Sequence, residues 1–173
     1  LKLIYISMEK LFGERKPYQY QPQDFEEWFG TFEIHRPVFL TGVLDSHLGF
    51  GRGERNIERI RKTNRHFCND LHRRVYTKSK KKIPRVIVIE IGKGRFHSHI
   101  VIETPSHLSQ SQYKELLTTS WMRTTHGVDL NFVVGYDKVG LDRYCSKELI
   151  HKDTIISQVD AENCCVNQQT SRY

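Results

Sequence analysis

The sequence predicts an α+β domain, with one antiparallel sheet carrying its helices on one face and leaving the other face free for a site. Three observations lead there. Residues Val86 to Glu103, VIVIEIGKGRFHSHIVIE, read as two apolar strands joined by a Gly-Lys-Gly turn. A long stretch before them, Arg52–Thr77, repeats its apolar residues at helical spacing. Along the whole chain the segments run strand, helix, strand, strand, helix, strand, helix. That order is the split βαβ, ferredoxin-like plan with a helix added at its end, the plan also used by RRM-like domains.

The bulk numbers fit such a domain. A chain of 173 residues can bury a sizeable core. Lys and Arg number 27 against 20 Asp and Glu, a formal charge of +7. This charge suits an anionic partner such as nucleic acid without requiring one. No apolar run approaches the roughly 20 residues that span a bilayer, and LKLIYIS lacks the basic start of a signal peptide. A cytoplasmic location with no membrane contact is expected. The cysteines, Cys68, Cys145, Cys164 and Cys165, include no CxxC pair and read as reduced thiols, not a zinc framework.

Taken in order, residues 1–36 form an arm of uncertain structure. It mixes prolines with aromatics and has a short helix expected near Asp24–Phe29. Pro37–Leu44, PVFLTGVL, is a strand, followed by the glycine-rich loop DSHLGFGRGER, which matches no phosphate-binding pattern. In the helix Arg52–Thr77, Ile57, Ile60, Phe67, Leu71 and Val75 define the buried stripe, and the opposite side is dense in Arg and Lys. KSKKK at 78–82 continues the charge. After the hairpin, Ser109 is the expected N-cap of a helix Gln112–Trp121 that buries Tyr113, Leu116, Leu117 and Trp121. Val128–Tyr136 is a strand. Val139–His151 is an amphipathic helix with Leu141, Cys145, Leu149 and Ile150 inward. From 152 to 173 periodicity fades and a loosely ordered tail is expected.

The hairpin carries the chemistry. With Lys93 and Gly94 as the loop, Gly92 pairs with Arg95, Ile91 with Phe96 and Glu90 with His97. Side chains alternate along a strand, so His97 and His99 share a face, within reach of Glu90 across the hairpin. Ile87, Ile89, Ile91, Phe96, Ile100 and Ile102 make the opposite, core-forming face. Glu90, His97 and His99 are therefore candidate ligands of one ion, with coordination positions left open as in catalytic sites. HSHIVIE also matches HxHxxxE, part of a cupin metal pattern, through Glu103. However, four strand residues span about 13 Å, the glycines of that pattern are missing, and the helical periodicity does not suit a jelly roll. The second chemical element is Tyr144-Cys-Ser-Lys147. At i and i+3 of a helix, the phenol and the ammonium project together.

This combination resembles the HUH endonucleases of the rolling-circle replication initiator (Rep) type, over about Pro37 to His151. FLTG at 39–42 is similar to the family's first motif, HSH at 97–99 to its HUH motif, and YCSK at 144–147 to YxxK. Glu90 sits where Rep proteins carry a third metal ligand. The departure is Ser98, where the family has a bulky apolar residue. The histidines precede a single tyrosine, as in one-tyrosine Rep proteins. The resemblance implies a site-specific nickase that starts rolling-circle replication of a plasmid, phage or related element. Tyr144 would be its nucleophile, Lys147 its helper, and Mg²⁺ or Mn²⁺ would sit on Glu90, His97 and His99. Single-stranded or hairpin DNA is the expected substrate, and a helicase and other replication proteins are possible partners. Arg52, Arg55, Arg59, Lys80, Lys81, Lys82 and Arg95 are the expected phosphate contacts. A one-tyrosine HUH transposase or a relaxase-like mobilisation enzyme is the alternative in the same chemistry. A non-catalytic RRM-like nucleic-acid-binding module is the alternative outside it.

Overall fold

The structure is a computed structural model that describes residues 27, 29–30, 32–45, 54–77, 82–91, 96–133, 159–165 and 167–168. Its elements are β1 (Phe32–Glu33), β2 (Pro37–Leu44), α1 (Glu54–Val75), β3 (Arg85–Ile91), β4 (Phe96–Glu103), α2 (Gln110–Met122), β5 (Gly127–Val133) and β6 (Asn167–Gln168). The architecture is α+β. Four strands lie in the order β3-β4-β2-β5, with every neighbouring pair antiparallel. The hairpin register is the expected one: Glu90 lies opposite His97 and Ile91 opposite Phe96.

Both helices cover the same face of this sheet. Ile60, Phe67 and Leu71 of α1 and Tyr113, Leu117 and Trp121 of α2 share one core with Leu40, Ile87, Ile89, Ile100, Ile102 and Leu130. Each such aliphatic or aromatic side chain contributes about 1.5–3 kcal/mol by leaving water. Phe67 and Trp121 join the two helices, ring centre to ring centre at 5.5 Å and 75°. The start of α2 follows from its sequence: the Ser109 side chain caps the Gln112 N–H, and the Gln112 side chain reaches back to the Ser109 N–H. Gly42 of β2 faces this core, where a Cβ would stand 2.4 Å from Cζ2 of Trp121.

Two expectations need correction. The face away from the helices, expected to be free, is out of solvent at its centre: Phe39, Val86, Val88, Val101 and His99 are all at most 3% exposed. The reason lies in the strands themselves, whose apolar residues run on without alternation, as in strands buried on both sides. The tail is not loose at 159–165. Val159, Asp160 and Asn163 are buried, and the segment bridges the β3 edge at Val88↔Val159 and Arg85↔Cys165. It is held by backbone bonds and polar side chains, which leave no hydrophobic period to read. Further on, β6 pairs with β1, whose Phe32 packs edge-to-face on Phe29 at 6.2 Å. The expected helix 139–151, residues 134–136 of the last expected strand and the first 26 residues of the arm lie outside the described residues.

Candidate functional site

The site is built on the centre of β4. His97 and His99 project on the face away from the helices, flanked by β3 on one side and β2 on the other. Glu90 lies opposite His97 in register but turns along the strand, and its Oε2 meets Nε2 of His99. On the other side Thr41 stands directly opposite His99, with Oγ1 3.2 Å from Nδ1. The ring of Phe39 stacks on the His99 imidazole, 5.8 Å between centres and 13° from parallel. His99 is thus fixed at both ring nitrogens and on one face, and is 3% exposed.

This accounts for FLTG residue by residue. Phe39 and Thr41 serve the histidine, whereas Leu40 and Gly42 serve the core. The motif resemblance marks FLTG as a whole but assigns Phe39 and Thr41 no role of their own. The signal that finds them is register: once β2 pairs with β4, odd positions of the motif fall beside His99. With Nε2–H donating to the Glu90 carboxylate, Nδ1 accepts from the Thr41 hydroxyl. A hydroxyl can equally accept, so Thr41 also suits a ring whose proton sits on Nδ1.

His97 lies beside His99 on the same face. Its ring centre is 6.4 Å from that of His99, tilted by 38°, and it is half-buried. One carboxylate and two imidazoles form a donor set suited to a divalent ion, and an oriented His99 is what such a ligand needs. In the present arrangement Glu90 and His99 contact each other, and no group of three or more His, Cys, Asp or Glu among the described residues is gathered to hold a metal.

Ser98, between the two histidines, points into the core and is fully buried. Its hydroxyl donates to Oδ1 of Asn64 on α1 at 2.9 Å, and Nδ2 of Asn64 donates to Asp160 at 2.8 Å. Asn163 donates to both oxygens of Asp160, at 2.9 and 2.8 Å. Burial pushes the Asp160 carboxyl above its ordinary value, against the pull of Asn64 and Asn163. Asn64 stands inside the apolar stripe, between Ile60 and Phe67, and a polar residue there is the sequence signal for a buried partner.

Of the expected phosphate contacts, Arg59 and Lys82 are exposed, and Arg55 lies in α1 with its side chain outside the described set. Arg52, Lys80, Lys81 and Arg95 lie outside the described residues, as do Tyr144 and Lys147. No helix among the described residues is long and apolar enough to cross a membrane. No protein-family model, curated protein or solved structure matches the chain.

Proposed function

We propose that the chain is a single-strand DNA nickase of the HUH type that initiates rolling-circle replication. The observation that carries this reading is the His99 environment, where FLTG and HSH, motifs far apart in sequence, meet around one imidazole with Glu90 as its partner. The strand order and directions, with both helices on one face, support the split βαβ plan. Glu90, His97 and His99 would hold Mg²⁺ or Mn²⁺, which when bound polarises a scissile phosphate. The protein's own residues do the rest. Thr41 and Phe39 hold the His99 ring. Tyr144 Oη gives up its proton to water and attacks phosphorus, the bond to the 3′ oxygen breaks, and that oxygen takes a proton from water, leaving a 5′-phosphotyrosine and a free 3′-OH. An ordinary phenol has a pKa of about 10, so Lys147 stabilises the phenolate. Lys82 and Arg59 add salt-dependent affinity.

The test is incubation of the full chain with Mn²⁺ and labelled single-stranded oligonucleotides, followed by denaturing electrophoresis. A covalent adduct is expected with the parent chain and none with Tyr144→Phe. Thr41→Val should weaken Mn²⁺ binding about 10–100-fold, as loss of a ligand's hydrogen-bond partner does. An adduct that persists in Tyr144→Phe rejects the nucleophile. Binding without cleavage under any divalent ion favours a non-catalytic module.

A further inference from the structure

On the helix side of the sheet a separate cavity opens between α1, the approach to β3 and the 159–165 segment. Its volume is about 450 Å³, and Arg65, Asn69, His72, Lys82, Arg85 and Glu162 are among the residues that line it. Arg85 opens β3 on the same face as Ile87 and Ile89, whereas Glu90 is on the other face and about 17 Å further along the strand. The cavity is therefore distinct from the Glu90–His99 site.

Its charge is unbalanced. Three permanent cations face one carboxylate, and Glu162 is already engaged by Arg65. The Arg85 guanidinium donates through Nε to the Asn163 carbonyl at 2.8 Å and through Nη1 to the Ile83 carbonyl at 2.9 Å. Both are neutral acceptors, and no carboxylate among the described residues pairs with it. A cation partly withdrawn from water is costly until an anion meets it. The Cys68 thiol, which also lines the cavity, bonds the guanidinium as well, and the N–H groups left over suit phosphate oxygens. Lys82, exposed at the rim, adds a second positive charge without geometric demand. The volume falls in the range of small-ligand sites and exceeds what a bare phosphate fills.

We propose that this cavity binds the phosphate of a nucleotide, through Arg85 and Lys82, with the attached nucleoside occupying the remaining space. The phosphate can come from a free mononucleotide or from a unit of a strand. The proposal stands without the nickase reading, because it needs neither a divalent ion nor Tyr144.

The experiment is calorimetric titration of the full chain in EDTA with dAMP, deoxyadenosine, inorganic phosphate and a short single-stranded oligonucleotide. Binding of dAMP is expected, with none for deoxyadenosine. Arg85→Lys keeps the charge but loses those N–H groups and should weaken dAMP about tenfold or more. Lys82→Gln, at an exposed side chain, should weaken it several-fold and decides the matter if the Arg85 variant does not fold. A variant-sensitive oligonucleotide that outcompetes dAMP identifies a strand as the source, whereas variant-sensitive binding of dAMP alone identifies a mononucleotide. If neither binds, or if affinities are the same in the parent and Lys82→Gln, the proposal is overturned.

Discussion

Replacing Ser98 by alanine removes one oxygen from the middle of the protein, and its cost can be worked out from the partners. Asn64 Nδ2 faces Asp160, whose carboxylate can only accept, so the amide orientation is fixed. Oδ1 of Asn64 must then face Ser98, and the hydroxyl must donate. Ser98 and Asn64 are both completely buried, so in Ser98→Ala the amide oxygen loses its donor where water does not replace it. An orphaned buried acceptor costs about 1–3 kcal/mol. For a chain of this length, about 2 kcal/mol corresponds to a fall in Tm of roughly 4–8 °C. Urea unfolding should show a lower midpoint at unchanged slope. In an Asn64→Leu background the same change should cost less than about 0.5 kcal/mol, because the acceptor is gone. A Ser98→Ala chain as stable as the parent, or an equal loss in both backgrounds, would refute the argument that Ser98 acts through Asn64.

Two other outcomes follow from the packing. Gly42→Ala should destabilise by about 1–3 kcal/mol in urea, since the new methyl would sit 2.4 Å from a fully buried Trp121 pinned by Phe67; an unchanged midpoint would mean that the ring has room to move. Asp70 is buried and accepts from Arg74 Nε at 2.6 Å, with Arg123 Nε at 3.9 Å. Burial pushes its carboxyl up, but Arg74, the Ser120 hydroxyl and Arg123 together outweigh that and leave it below the ordinary 3.8. Its stabilisation is therefore complete above pH 3.8 and lost as pH falls through the lower folded value. Asp70→Asn should cost about 2 kcal/mol at neutral pH, and the gap to the parent should close in acid; a gap independent of pH would reject the role of the charge.

The hairpin, the register that sets Glu90 opposite His97, the stripe of α1 and the cap of α2 were all legible, because each is a local pattern with a fixed period. The long-range readings were weaker. VIVIEI contains two apolar faces, Ile87 with Ile89 and Val86 with Val88, and attention to the isoleucines hides the valines that close the second side. The role of Thr41 depends on which strand lies beside β4, and no single strand encodes that. Residues 159–165 are attached through Asp160, Asn163 and backbone carbonyls, interactions that create no periodicity. Ser98 departs from its motif for a related reason: its partner, Asn64, lies 34 positions away.

The bridges to β3 also bear on how the protein is made. Arg85 is tied to Asn163, 78 positions later in the chain. A ribosome delivers RVIVIEI long before it delivers the segment that covers that edge. In the interval the nascent domain displays an uncovered apolar strand rim, a ready template for pairing with another chain. Such distant closure also slows folding. Chains cut short before Val159 should thus be the aggregation-prone products of interrupted synthesis, even though they retain β3, β4 and the Glu90–His99 pair.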